Sequence, residues 1–413
     1  MSTSGRLGAG RYITARAIPD STVSSLHELT TADGATVTGV LRRLPGARTV
    51  VCLMHPRQDF THHVLVPELL ARGAAVWTQG TRSVNNDLNL LHEQAVLDLA
   101  AGLTFLRSSG FDHMVTLGHS GGGTLAALYH EQAGLLPEQR ISRTPAGRPV
   151  DLAGADLPVV DAAVFMAPHP GQGALLQRLI DPSVTDETDP MSVDPGLDPY
   201  SAANGFAPAP RSSAYPAEFV ARYRAAQRAR IERIDAHARE LADEAAAARK
   251  RFKRSGDAAD RRRALAPRII TVYRTDADLR SVDQALDANE RPYGSLFGSR
   301  PDLINYGLVG FGRLSTPEAW LSTWSAVSTN ADFLRCAPGI TAPTLLVELT
   351  GDQASFPQDS SAMVSSLGSA DVTHRSVRGL HFGGPIAPGE PTGSSLAAEV
   401  IGAWLADRFP LAV

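Results

Sequence analysis

Ser120 stands in the run Gly118-His119-Ser120-Gly121-Gly122-Gly123, a setting that can turn a serine hydroxyl into a nucleophile. The Gly-x-Ser-x-Gly pattern alone is weak in a chain with 36 glycines, and its surroundings decide its meaning. Met114 to Leu117 reads as a short apolar strand, and the small residues after the serine read as a helix to about Gln132. A strand-to-helix turn this sharp strains the serine and forces its neighbours close, so Gly118 and Gly122 must lack bulk. The helix N-terminus then brings N–H groups and a positive dipole end to a developing alkoxide and oxyanion. A Gly-rich phosphate loop is the competing reading, but no Lys follows in the Walker position.

The elements that must carry this turn alternate between strand and helix. Ser25 to Thr30 and Thr36 to Leu44 read as strands joined through Ala32-Asp33-Gly34, an Asp-Gly pair that suits a hairpin. Thr49 to Met54 is apolar on both faces, as in a buried central strand. A helix over His63 to Ala71, a strand over Ala74 to Thr78 and an amphipathic helix over Leu88 to Leu106 follow, and Val160 to Met166 reads as another buried strand. The alternation resumes only with a strand at Thr344 to Leu349, a helix at Asp359 to Leu367, a strand at Val372 to Val377 and a last helix at Ser394 to Phe409. The pattern predicts an α/β class with a mostly parallel central sheet and helices on both faces. A large, mainly helical insertion follows the sixth strand. The expected divisions are 1–168 as the first part of the core, 169–337 as the insertion and 338–413 as the second part.

Within the insertion, Pro216 opens a long helix that Ser255-Gly256 ends. Ile231, Ile234, Ala238, Leu241, Ala245, Ala248 and Phe252 recur along it at spacings of three and four, a seam expected to pack on another helix or to form a homodimer. The basic stretch Arg249 to Arg254 reads as a solvated helix face.

Composition narrows the function class. The 413 residues are 43% hydrophobic and carry a formal net charge of −4, enough for a large core and no reason to expect nucleic acid as a partner. Two cysteines, Cys52 and Cys336, make no disulfide framework and favour a reducing compartment. Met1 to Asp20 has no apolar targeting core, and no run approaches the roughly 18 apolar residues of a membrane span. The expectation is a cytoplasmic protein with a small-molecule substrate and no cofactor. His55, His62 and His63 lie close in sequence, but adjacent histidines diverge on any regular element and no ligand set is completed, so no metal is expected.

Val115-Thr116-Leu117-Gly118-His119-Ser120-Gly121-Gly122-Gly123 resembles the nucleophile elbow of the α/β-hydrolase superfamily, in its serine-nucleophile, cap-bearing branch. The resemblance covers about 49–167 and 343 to the C-terminus. It implies a serine, acid, histidine order. Pro343 to Asp352 resembles the strand and loop that deliver the acid, which makes Asp352 the candidate with Glu348 as its rival. Arg378-Gly379-Leu380-His381-Phe382-Gly383-Gly384 follows the last strand and implies His381 as the base. Gly121 N–H is the implied first oxyanion donor. Met54-His55-Pro56-Arg57-Gln58 occupies the place of the family's His-Gly-x turn; Pro56 has no N–H, so Arg57 is the implied second donor. The Arg57 side chain either meets a substrate carboxylate or packs as a surface guanidinium.

The resemblance implies a hydrolase of esters, lactones or related carbonyl compounds working through an acyl-Ser120 intermediate, with the insertion as a cap. Tyr306, Phe311, Trp320 and Trp324 suit either an apolar pocket wall or the insertion's own core. Haloalkane dehalogenases and epoxide hydrolases of the superfamily carry an acidic nucleophile, so Ser120 disfavours both. Carbon–carbon bond hydrolysis and acyl transfer use the same three residues and stay open. A non-catalytic ligand-binding protein of this fold predicts a degraded triad, whereas all three positions are filled.

Overall fold

The computed structural model describes residues 16–412, so most of the N-terminal stretch read above lies outside the described residues. Among the described residues ten strands form in chain order: β1 (Val23–Thr30), β2 (Thr36–Arg43), β3 (Thr49–Met54), β4 (Ala75–Gln79), β5 (His113–His119), β6 (Ala162–Met166), β7 (Ile270–Thr271), β8 (Leu314–Ser315), β9 (Thr344–Leu349) and β10 (Val372–Val377). Eight of them make one sheet in the order β1-β2-β4-β3-β5-β6-β9-β10. β1 pairs antiparallel with β2, β2 antiparallel with β4, and every later pairing is parallel. This is the α/β-hydrolase sheet. β3 sits inside it with all six residues buried, because its unbroken apolar run has helices to meet on either side.

Helices α1 (Leu65–Leu70), α2 (His92–Ser108) and α3 (Gly121–Gly134) connect the first strands. One core, on the α2 and α3 face, gathers Val96, Leu103, Leu125, Leu128, Phe165 and Leu346. The opposite core joins α1 to the C-terminal helix through Leu65, Leu69, Val76, Val347, Ile401 and Trp404.

The chain leaves the sheet after β6, the sixth strand, and returns at β9. Between them lie α4 (Gln172–Leu179), α5 (Ala217–Ser255), α6 (Ala258–Leu265) and the two-stranded β7-β8 ribbon. α5 starts after Pro216 and stops where Gly256 takes a left-handed conformation, φ +71°, which a residue with a Cβ rarely adopts. Its seam finds partners in its own chain: Ile231, Ile234 and Ala238 pack with Trp320, Leu321 and Trp324. Further along, α6 folds back on α5 and Arg251 bonds Asp260 at 2.9 Å. Arg249, Lys250, Lys253 and Arg254 are exposed, as a solvated face requires.

Polar contacts fix the insertion to the sheet domain. Glu93, buried on α2, accepts from Ser322 Oγ at 2.7 Å and Asn330 Nδ2 at 2.8 Å. Arg280 reaches Asp359 at 3.0 Å at the start of α7 (Pro357–Ser366). The last helix, α8, spans Gly393–Ala406. Among the described residues no helix is long and apolar enough to cross a membrane.

Candidate active site

β5 ends at His119, Ser120 takes φ +55° and ψ −125°, and α3 begins at Gly121. Left-handed backbone at a residue with a Cβ costs of order 1–3 kcal/mol and is held here by the surrounding packing. The flanks leave no choice of residue: a Cβ on Gly118 would stand 2.5 Å from Gly123 Cα, and one on Gly122 2.6 Å from Met54 O. Glycine is what lets strand and helix close on this serine.

The three candidate residues converge. His381 Nε2 lies 2.9 Å from Ser120 Oγ, and its Nδ1 lies 2.8 and 3.0 Å from the two oxygens of Asp352. Both partners of the pair are buried, His381 at 0% and Asp352 at 1% exposed. Asp352 Oδ1 also accepts from Ala354 N–H at 2.7 Å and Ser355 N–H at 3.0 Å, so the carboxylate is fixed as an acceptor. His381 Nδ1 therefore carries the proton, and Nε2 presents its lone pair to the serine. The rival acid points elsewhere: Glu348 Oε2 pairs with His374 at the sheet edge, at 3.2 Å.

The insertion braces the acid loop. Asn289 Nδ2 donates to Asp352 O at 2.9 Å, and Glu290 N–H donates to Thr350 O at 2.8 Å. The histidine turn is closed by its own main chain, with Leu380 N–H bonded to Gly384 O at 2.9 Å and Gly383 N–H to Leu380 O at 2.7 Å.

Buried His119 and His169 had no assigned role in the reading of the sequence, and buried His63 entered it as a rejected metal ligand. His119 lies between Gly118 and Ser120 in the elbow. Its Nε2 meets the main-chain oxygen of His381 at 2.8 Å, and its Nδ1 meets His63 Nε2 at 2.8 Å. A carbonyl only accepts, so His119 donates from Nε2 and accepts at Nδ1. His63 must then donate from Nε2, which frees its Nδ1 to accept from Leu65 N–H at 3.3 Å. The chain of bonds runs one way and ends on His381. Burial keeps the rings neutral: His63 is held well below the ordinary histidine range and His119 is pushed down to about 4 by burial and by the nearby His381. His169 is pushed down to about 3 by burial first and His381 second.

Arg57 departs from expectation. Its N–H, read as the second oxyanion donor, donates to His55 Nδ1 at 3.0 Å, and Gln58 N–H shares that nitrogen at 2.9 Å. The turn after β3 curls around the His55 ring because Pro56 contributes no N–H of its own. The Arg57 guanidinium grips Asp87 at 2.8 and 2.5 Å and lies over the rings of Phe311 and Trp324, 4.9 and 4.8 Å from their centroids. It is neither a surface group nor a free cation.

These groups surround a cavity of about 20 Å³ above Ser120, whose apolar wall includes Leu175, Leu296, Phe311, Trp324 and Phe382. That is room for about one water. Of the four aromatic candidates, Phe311 and Trp324 reach the cavity, while Trp320 is buried inside the insertion. Tyr306 is 42% exposed and its hydroxyl accepts from Arg274 at 3.0 Å. Gln172, at the start of α4, faces the cavity with both amide atoms buried and without a hydrogen-bond partner. No sequence pattern marked it. His62 is exposed and His63 buried, and among the described residues no group of three or more His, Cys, Asp or Glu could hold a metal.

No family model matches the chain, and no curated protein matches it. Among solved structures it is similar to DcsB in complex with its substrate analogue, at 13% identity over 93% of this chain and 99% of that one, with a TM-score of 0.49. It is similar to a brefeldin A esterase, a bacterial homologue of human hormone sensitive lipase, at 14% identity over 97% of this chain and 80% of that one, with a TM-score of 0.45. The Pyrococcus furiosus esterase Pf2001 gives 11% identity over 98% and 99%, with a TM-score of 0.43. The strand order, the parallel crossovers and the serine on a strained strand-to-helix turn give the chain the α/β-hydrolase fold.

Proposed function

We propose that the protein is a serine hydrolase cleaving an ester, lactone or related carbonyl bond of a small, neutral, largely apolar molecule. The observation that carries the reading is the bond from Ser120 Oγ–H to His381 Nε2, with Nδ1–H held by Asp352. His381 takes the Ser120 proton as Oγ bonds to the carbonyl carbon. It returns that proton to the leaving oxygen as the tetrahedral adduct collapses to the acyl-serine. Water, deprotonated by the same Nε2, then releases the acid and restores Ser120. Asp352 holds Nδ1–H and stabilises the imidazolium in both halves. Gly121 N–H, at the first turn of α3 where no intrahelical acceptor exists, supports the oxyanion.

Neutrality of the substrate follows from charge. Arg57 is already matched by Asp87, and His55 and His169 beside the cavity are held neutral by burial. A carboxylate entering here would find no unpaired cation. The insertion, supplying Leu175, Leu296, Phe311 and Trp324 to the wall, serves as the cap.

The test is fluorophosphonate labelling of wild type and Ser120→Ala, followed by turnover of a panel of esters, lactones and diketones. Labelling that vanishes with Ser120, together with ester or lactone turnover, supports the reading. Turnover confined to diketones moves the assignment to carbon–carbon bond hydrolysis. A wild type that neither labels nor turns over substrate overturns catalysis altogether.

A further inference from the structure

The turn after β3 spends both of its nearest main-chain donors on one atom. Arg57 N–H and Gln58 N–H converge on His55 Nδ1, and Pro56 has none to give. The position that ordinarily supplies the second oxyanion donor is therefore without a free amide. The same two bonds settle the state of the ring. A nitrogen that accepts twice carries no hydrogen, so the His55 proton resides on Nε2. Burial, and then the positive charge of Arg57, hold the ring far below the ordinary histidine range, so no second proton arrives at Nδ1 to break this arrangement.

Nε2 faces the site. It lies 3.0 Å from where a Cβ on Gly121 would stand, beside the residue whose N–H is the first donor. His55 lines the cavity with Ser120 and His381, is 3% exposed, and its Nε2 has no hydrogen-bond partner among the described residues. Phe60, with its ring centroid 5.1 Å away, packs against the imidazole and restrains its tilt.

We propose that His55 is a catalytic residue, the second oxyanion donor, and that its Nε2–H replaces a main-chain amide in that role. This rests on the hydrolase reading above. As Ser120 Oγ bonds to the substrate carbon, its proton passes to His381 Nε2 and the carbonyl π pair moves onto oxygen. Gly121 N–H and His55 Nε2–H hydrogen-bond to that oxygen, and neither gives up its proton. The ring is preorganised for the task, since its tautomer is fixed before substrate arrives. Gln172 is the rival donor, because its Nε2 lies 2.3 Å from the same Cβ position.

Proton NMR of the wild-type protein with and without phenylboronic acid, a mimic of the tetrahedral adduct, tests the assignment. The His55 Nε2–H resonance is identified by its loss in His55→Gln. It is expected to move downfield and exchange more slowly when the adduct forms. His55→Leu should lower kcat by about 10² to 10³-fold with little change in KM. His55→Gln, which keeps an N–H at the same reach, should recover most of that loss. Because Leu also strips the turn of its acceptor, the wild-type resonance decides: an adduct at Ser120 with this proton unmoved overturns the proposal and leaves the triad standing. A kcat loss that follows Gln172→Leu and spares His55→Leu overturns it as well. Wild type that forms no boronate adduct and takes no fluorophosphonate overturns the proposal together with the hydrolase reading beneath it.

Discussion

His119 donates from Nε2 to the main-chain carbonyl of His381 at 2.8 Å, so the residue before Ser120 holds the backbone of His381. Ser120 and His381 are thereby tied through main chain as well as through the bond between their side chains. His119→Leu leaves the His381 carbonyl and the His63 Nε2–H both unpaired and buried. Each unmet group costs about 1–3 kcal/mol, and a shift of His381 costs rate as well. The expected outcome is a lowered denaturation midpoint and a kcat reduced about tenfold with KM nearly unchanged. Full kcat in His119→Leu would show that the His381 backbone needs no such tether.

Asp352→Asn keeps the shape of the acid and reverses what it can hold. An amide N–H facing Nδ1 selects the tautomer with its proton on Nε2, which cannot accept from Ser120. The expected loss is about 10⁴-fold in kcat, of the size seen for this substitution in other triads. Glu348→Gln should leave kcat within about twofold, because Glu348 pairs with His374 away from the site. Steady-state kinetics on the two variants checks the assignment, and a larger loss in Glu348→Gln reverses it.

The buried histidines make the fold sensitive to acid. His92, His119 and His130 are pushed down to about 4 by burial, and His169 to about 3. Unfolded, each titrates near 6.5. Between those values the unfolded chain binds protons that the folded chain refuses, so the stability present above pH 6.5 falls as the pH drops toward 4. Each ring contributes up to about 3 kcal/mol across that window, before any relaxation of the fold. Urea midpoints should fall steadily from pH 7 to pH 4.5, and calorimetry in buffers of different ionisation enthalpy should show net proton uptake on unfolding. Midpoints that stay flat over this range would mean that the rings charge within the native state.

Much of this was legible in the residues. β9 and β10 have the limits that their apolar and β-branched runs define, and α5 stops at Gly256 as its Ser-Gly pair announced. Ser120 could be singled out by its Gly-rich turn between a strand and a helix, and Asp352 and His381 by the order of serine, acid and histidine that the family resemblance implies. What stayed hidden depends on side-chain direction. The N–H of Arg57 was a reasonable donor until the His55 ring claimed it, and that depends on one χ1 angle no spacing reveals. The short helix α4 and its Gln172 carry no period long enough to read, and the paired β7 and β8 are two residues each. The seam of α5 could be seen, but its partners Trp320 and Trp324 lie about ninety residues further along the chain.

Arg57 is expected to act as a gate of the site. Its guanidinium lies over Phe311 and Trp324 and is clamped by Asp87, and beneath it remains a cavity of about 20 Å³, too small for any ester. Under the proposed hydrolase reading, admission of substrate is expected to move the aromatic wall of Phe311 and Trp324 away from the sheet domain, with Arg57 released from one partner or both. Arg57→Ala removes the plug and leaves Asp87, whose side chain is 30% exposed, to be solvated. The expected result is kcat/KM raised several-fold for long-chain or aromatic acyl esters, with small acetate esters little changed, since only bulky groups wait on opening. Trp324→Ala is the poorer probe, because truncating a fully buried Trp in the insertion's core costs about 3–5 kcal/mol of stability. The comparison also separates the two roles open to this arginine. If Arg57 binds a substrate carboxylate, its removal lowers kcat/KM for anionic esters by tenfold or more and leaves neutral esters of equal size untouched. Kinetics on matched neutral and anionic esters, with wild type and Arg57→Ala, reads out gate or ligand directly.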